Sequence, residues 1–268
     1  MILVDKSRKY APFLKLFEYR VTFHTKRDNL IQYNMNFFYR HRVAFGIACI
    51  FLSVAFAFGV CIFALTATAS ESVRLTVVID AGHGGVDGGV VGIESGTKES
   101  DINLDLSRRL SRCFSDAGFS VVMTRETEAG LYGTATSGYK KRDMQKRAQI
   151  INKSNPALVI SVHQNFFSMR SRRGAQVFFR ESNDRSVTLA CLIQASLNEM
   201  PECVRKSEPL KGDYYILNCS DYPSVIVECG FLSNPEDEAL LLNNEYRDKI
   251  AAAIAEGALR YLSSAANG

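Results

Sequence analysis

Two histidines and two glutamates stand where a folded chain could use them for chemistry. The run Leu75-Thr76-Val77-Val78-Ile79-Asp80-Ala81 breaks into Gly82-His83-Gly84-Gly85, Leu158-Val159-Ile160-Ser161-Val162 delivers His163, and Val225-Ile226-Val227 delivers Glu228. Val, Ile and Thr suit a buried strand, and the glycines let the backbone turn sharply and approach another group closely. A polar side chain delivered at the C-terminal end of a strand is the usual way an open α/β sheet builds a site. The chain has four histidines, and His24 and His41 both precede residue 43, so His83 and His163 are the only two in everything that follows. A single histidine at a strand end is ordinarily a satisfied structural residue. Two of two at equivalent positions point to a metal, and neutral imidazole is a preferred ligand of zinc.

Glu99 opens a predicted helix, three residues before Ile102 and four before Asn103, and that spacing puts it on the stripe facing the sheet. Two roles fit it. It would complete a His-Glu-His set with one open position, as catalytic zinc is held, or it would complement the helix dipole as a first-turn acid. Glu228 ends a run otherwise fit for a buried strand. A carboxylate there must be paired, bound to metal or functional, because an isolated buried charge is costly. Desolvation would raise its pKa into the range of a useful general base or acid; a structural salt bridge is the other role open to it.

The elements that must position these groups follow from periodicity and punctuation. Strands are predicted over 75–80, 119–125, 158–163, 175–180 and 224–228, with strand-like sequence at 213–217. Helices are predicted over 99–117, where Gly118 stops the pattern, over the very basic 139–154, and over 184–199. The first of these carries the apolar stripe Ile102, Leu106, Leu110 and Cys113/Phe114, with Asp105, Arg108, Arg109 and Arg112 facing out. Ser233-Asn234-Pro235-Glu236 reads as a capped helix start with proline in the first turn, and helical sequence continues to about 263. The alternation predicts one α/β domain over residues 71–268, built on a mostly parallel, doubly wound sheet of about six strands with flanking helices.

Ahead of it, residues 43–70 carry no charge between Arg42 and Glu71. At ~1.5 Å per residue they exceed the ~30 Å core of a bilayer, which predicts one N-terminal transmembrane helix or a long signal segment. Nine of the chain's 32 basic side chains and three of its 28 acidic ones lie in residues 1–42. The positive-inside rule keeps that segment cytoplasmic and sends the remainder across the membrane. Beyond residue 70 there remain 23 basic against 25 acidic side chains, so the net charge of +4 belongs to the N-terminal segment and nucleic acid is not an expected partner. The expected location is the cell membrane, single-pass, with the domain outside the cytoplasm, or secretion if Ala67-Thr68-Ala69 is cut after Ala69. The seven cysteines form no CxxC pair and read as small buried hydrophobes. One disulfide from Cys203 to Cys219 or Cys191 is the alternative outside the cytosol.

Four stretches, in order, carry a resemblance. Ile79-Asp80-Ala81-Gly82-His83-Gly84-Gly85-Val86-Asp87-Gly88-Gly89, Glu99 with Ile102-Asn103-Leu104, Ser161-Val162-His163-Gln164-Asn165, and Val227-Glu228-Cys229-Gly230-Phe231-Leu232-Ser233-Asn234 resemble the motifs of the N-acetylmuramoyl-L-alanine amidase type 3 family. The resemblance covers residues 75–262. It implies one Zn2+ per domain with His83, Glu99 and His163 as ligands and Glu228 as the catalytic carboxylate. Ala81 stands where a proline is usual and Gln164 follows the second histidine; neither position donates a ligand. The membrane segment, Gly138-Tyr139-Lys140-Lys141-Arg142 ahead of Arg147-Ala148-Gln149-Ile150-Ile151-Asn152, and the lack of wall-binding repeats resemble the germination-specific, spore-cortex members. In those, removal of the peptide from muramic acid leads, with a second deacetylating enzyme, to muramic-δ-lactam.

The function so implied is zinc-dependent hydrolysis of the amide between N-acetylmuramic acid and L-alanine in peptidoglycan. Cell-division members of the family plug their zinc site with an extra helix. The interval between Arg180 and Asp213 has room for one helix and a loop and reads as no plug, so control is expected from expression or from an activating or recruiting protein. Asn165, directly after the His163 strand, is a candidate to hydrogen-bond substrate or fix a ligand. Arg170, Arg172 and Arg173 would pair with stem-peptide carboxylates or form a solvated rim. Two other functions fit the same residues: an exported zinc carboxypeptidase, and a membrane-tethered, non-catalytic wall-binding protein.

Overall fold

A computed structural model describes residues 11–68, 74–134 and 137–266, which fall into two units parted between residues 72 and 73. The first unit is one helix, α1 (Ala11–Thr68), of 58 residues. Within its stretch Asn29–Val60, an 18-residue window has a mean hydropathy of 2.5, and the stretch is long and apolar enough to cross a membrane. Phe45, Phe51 and Phe56 are all exposed, as suits a helix that is apolar all round. The helix starts well before the predicted span, so Arg40 and Arg42 lie within it rather than ahead of it. Residues 1–10 of the basic segment, and Ala69 of the candidate cleavage site, lie outside the described residues.

The second unit runs β1 (Thr76–Ala81), α2 (Glu99–Asp116), β2 (Ser120–Met123), α3 (Tyr139–Ser154), β3 (Leu158–Asn165), β4 (Gln176–Phe179), α4 (Asp184–Asn198), β5 (Leu210–Lys211), α5 (Tyr215–Asn218), β6 (Ser224–Phe231), α6 (Pro235–Leu242) and α7 (Asn244–Ala266). The strands form one sheet in the order β2-β1-β3-β6-β4-β5. All neighbours are parallel except β4, which is antiparallel to β6. The link 166–175 explains the exception, since it is too short for the crossover helix that a parallel return needs.

Period-two alternation along each strand gives the sheet two buried faces. Val77, Ile79, Leu158, Ile160, Val162, Val225 and Val227 pack against α2, α4 and α7 through Leu106, Phe114, Leu189, Ile193 and Ile254. Val78, Val159 and Ile226 face the other way, against Ile151 of α3 and Ile216 and Leu217 at α5. The α2 stripe is as predicted: Ile102, Leu106, Leu110 and Phe114 are buried. Asn234 caps α6, accepting from the backbone N–H groups of Glu236 and Asp237.

Three expectations change. The strand-like 213–217 is one turn of helix, α5, and the edge strand is the shorter β5 before it. Ile216 and Leu217 close over the sheet face instead of extending it, while Tyr214 and Tyr215 stay exposed. β3 and β6 continue past His163 and Glu228 to Asn165 and Phe231, with a register shift between His163 and Asn165. Among the described cysteines only Cys229 is buried; Cys191, Cys203 and Cys219 are free thiols, so no disulfide joins them.

Candidate active site

β1 carries the chain into a tight turn in which His83 has φ 61°, followed by Gly84 at 137° and Gly85 at 65°. For a residue with a Cβ this left-handed region is sparsely populated and marks a conformation imposed by its surroundings. Gly82 is required for a different reason: a Cβ there would lie 2.3 Å from the His163 ring. The same-face alternation puts Asp80, Ser161, His163, Ile226 and Glu228 on the α3 side of the sheet, with His163 and Glu228 in register on adjacent strands.

Glu99 reaches the site from the opposite face, as the first residue of α2. The helix start is held by the loop before it, with Glu99 N donating to Val90 O at 2.9 Å and Ser100 N to Gly88 O at 3.0 Å. Its buried carboxylate accepts from Val90 N (3.0 Å), Gln164 N (3.1 Å) and Asn103 Nδ2 (3.2 Å). It also meets His83 Nε2 at 3.3 Å and His163 Nδ1 at 2.9 Å. Burial alone would raise its pKa, but the two imidazoles hold it far below the usual carboxylate range. Donor atoms of His83, Glu99 and His163 lie within 4.8 Å of one another. Asp87 Oδ2 sits 3.1 Å from His83 Nδ1, which leaves Nε2 free to face Glu99. An imidazole oriented by a carboxylate on its far nitrogen, beside a second imidazole and a carboxylate, is a donor set that fits zinc. Burial opposes protonation of His83, yet Glu99 and Asp87 outweigh it and raise its pKa.

Glu228 differs from Glu99 in having nothing to satisfy it: Oε2 is buried without a hydrogen-bond partner. Burial pushes its pKa up to about 7, His163 and His83 oppose the rise, and Glu99 adds to it. Proton exchange near neutral pH is what such a group does best. His83, Glu99, His163 and Glu228 all line one cavity of about 400 Å³. Tyr132, Tyr139 and Lys140 form part of its wall, as do Tyr214 and Tyr215.

Sequence reasoning missed the layer beneath. Arg147 and Arg125 are buried, and their guanidinium groups hold the backbone of the His83 turn. Arg147 donates to Asp80 (2.6 Å), to Ala81 O (2.7 Å) and to His83 O (2.6 Å). Arg125 donates to Ala81 O (2.9 Å), Gly82 O (2.9 Å) and Ser100 O (2.8 Å). Asp80 accepts also from Thr124 and Ser161, each at 2.6 Å. An aspartate inside an apolar strand was the available signal, because it demands a cation.

The remaining sequence candidates lie elsewhere, and none of them lines the cavity. Asn165 Oδ1 accepts from the neighbouring Phe166 N at 2.8 Å. Arg170 lies 3.8 Å from Glu94, Arg172 stacks 5.5 Å above the Phe167 ring, and Arg173 is ion-paired with Glu236 and Asp237.

With this geometry in place, comparison with known proteins assigns the class. The sequence profile of the N-acetylmuramoyl-L-alanine amidase family matches residues 77–260, and the chain belongs to that family of peptidoglycan hydrolases. The germination-specific N-acetylmuramoyl-L-alanine amidase of Bacillus subtilis is 35% identical over 191 residues, covering 70% of this chain and 79% of that protein. AmiA of Escherichia coli is 26% identical over 232 residues, covering 70% and 76%. Among solved structures, the CwlD amidase of Clostridioides difficile, determined in complex with the GerS lipoprotein, superposes with a TM-score of 0.68 at 35% identity, covering 71% of this chain and all of that one. The family assignment selects the amidase over the carboxypeptidase and the wall-binding protein.

Proposed function

We propose that this amidase is zinc-dependent, with His83, Glu99 and His163 holding the ion and Glu228 carrying the proton, and that it acts on spore-cortex peptidoglycan. What carries the reading is the convergence of three donor atoms within 4.8 Å of one another on the cavity that also receives the unpartnered carboxylate of Glu228. The chemistry that zinc supplies when bound is polarisation of the scissile carbonyl and a water whose pKa falls toward ~7. The Glu228 carboxylate takes up a proton from the attacking water and passes it to the nitrogen that leaves with L-alanine. Asp87 keeps His83 in the tautomer that presents Nε2. Tyr132 and Tyr139, edge to face at 5.6 Å, offer a muramyl peptide apolar ring faces with polar tips.

The cortex assignment draws on the likeness to the Bacillus germination-specific enzyme. In this reading residues 1–42 stay cytoplasmic, 43–70 anchor the chain, and 71–268 form the catalytic domain outside the cytoplasm. A lipoprotein partner, like the one bound to the Clostridioides CwlD amidase, is the proposed activating or recruiting protein. The test incubates the full chain, in detergent with stoichiometric zinc, with peptidoglycan and weighs the released fragments. Intact stem peptides from the parent and none from Glu228→Gln are expected. Loss of a single terminal residue, or equal release by Glu228→Gln, overturns the reading.

A further inference from the structure

Arg147 does more than neutralise Asp80. As a counter-ion it would need one end of its guanidinium, and Thr124 and Ser161 already donate to the same carboxylate at 2.6 Å. The other end reaches the carbonyl of His83 at 2.6 Å, and His83 is the residue whose backbone sits at φ 61°. Such a conformation persists where the surroundings over-determine it. Asp143 fixes the rotation of the fork, accepting from Arg147 Nε at 2.5 Å while its second oxygen accepts from Leu131 N at 2.5 Å. Arg125 secures the two preceding carbonyls, those of Ala81 and Gly82. Arg147, by contrast, grips the carbonyl of the proposed ligand itself.

We infer that Arg147 is a positioning residue for the metal site: through the His83 carbonyl it holds the left-handed backbone that aims the imidazole at Glu99 and His163. Its planar fork, and not its charge alone, then sets how tightly the trio binds a divalent cation. The inference rests on the zinc reading above. Lysine separates the two roles, because it keeps a positive charge for Asp80 but is a point donor that cannot span Asp80, Ala81 O and His83 O.

The experiment titrates zinc into the full chain, solubilised in detergent, against a chromophoric chelator, with thermal melts of the metal-free protein alongside. The parent binds one zinc and His163→Ala does not; if either fails, the zinc reading falls and takes the inference with it. With both in hand, Arg147→Lys is expected to fold with a lowered Tm and to bind zinc, at temperatures where it is fully folded, roughly 10- to 100-fold more weakly, the usual loss when an outer partner of a metal ligand is removed. Parental zinc affinity in Arg147→Lys overturns the inference. If that variant does not fold, Asp143→Asn frees the fork while leaving Arg147 on Asp80, and a roughly tenfold loss of affinity is expected; no loss overturns it. Arg109→Ala, which removes ion pairs to Asp105 and Asp248 away from the site, should bind zinc as the parent does. An equal weakening there would mean general loosening and would also overturn the inference.

Discussion

Arg125 and Arg147 lie 3% and 1% exposed beneath the His83 turn, whereas Arg170, Arg172 and Arg173 are strung along the open loop that follows β3. The side chain is the same in both places and its use is opposite. Under the turn, rigid donor forks hold buried and half-buried backbone carbonyls, so losing a fork costs several charge-assisted hydrogen bonds at once. On the loop, the partners are a distant Glu94, a Phe167 ring, and the Glu236 and Asp237 carboxylates at the start of α6. The Arg170–Glu94 pair is exposed at both ends and worth little, because solvent and side-chain entropy cancel most of the attraction, whereas Arg173 is half-buried against the buried Asp237. Proximity to the catalytic edge does not make a cation functional here; burial against a specific backbone does.

That contrast is sharpest at the buried carboxylate on which the proposed chemistry depends. Glu228→Gln preserves shape but cannot accept a proton, and kcat on muramyl peptides should fall about 10²- to 10⁴-fold with zinc binding retained. A loss under about tenfold would move the proton carrier elsewhere. Next in size is Arg125→Ala, which removes a guanidinium donor from Ala81 O, Gly82 O, Thr127 O and Ser100 O, although Ala81 O keeps Arg147 and Gly82 O keeps Asn103. Urea denaturation should show a cost of about 3 kcal/mol; a cost under about 1 kcal/mol would place Arg125 with the loop arginines and erase the contrast.

A smaller effect appears with acid. Burial raises the pKa of Asp80, but Arg147, Ser161 and Thr124 together more than offset it and bring it from 3.8 down to about 2. Because the folded-state value is the depressed one, this stabilisation is complete above the unfolded value and disappears as pH falls from about 4 toward 2, amounting to about 2 kcal/mol. Asp80→Asn should therefore lack that part of the acid limb in a profile of Tm against pH, and a profile parallel to the parent's would refute the assignment. Smallest of all should be Arg170→Ala and Arg172→Ala combined: stability shifts by under about 1 kcal/mol, kcat holds, and any change is confined to KM for stem-peptide substrates. A fall in kcat would dissolve the distinction between the two sets.

Much of the site was legible because its residues break local rules. A histidine after Gly82, a second after a β-branched run, and a glutamate at the end of Val225-Ile226-Val227 each contradict their surroundings, and His83, Glu99, His163 and Glu228 do line one cavity. The supporting layer was not legible, because Arg147 sits in a helix with Lys140, Lys141, Arg142, Lys146 and Lys153, and nothing local distinguishes the one that turns inward. Only the pairing of β1 with β3, which carries Asp80 to the α3 side, picks it out. The stretch 213–217 misled for a related reason: a short run of aromatic and aliphatic residues such as Tyr214-Tyr215-Ile216-Leu217 looks the same whether a segment joins a sheet or folds over one. The cavity wall formed by Tyr132, Tyr139, Tyr214 and Tyr215 gathers two distant segments and left no trace in either.

Gly82 carries a consequence for how such an enzyme can lose its activity. Its α-hydrogen points at the His163 imidazole across a gap with no room for a methyl group. All four chemical groups could stay unchanged, and the sheet intact, while one added carbon on the neighbouring turn drives the ring from its place. A chain could thus keep every hallmark by which its catalytic competence is inferred and still be inert, so an intact set of ligands certifies function only together with the bare backbone beside it.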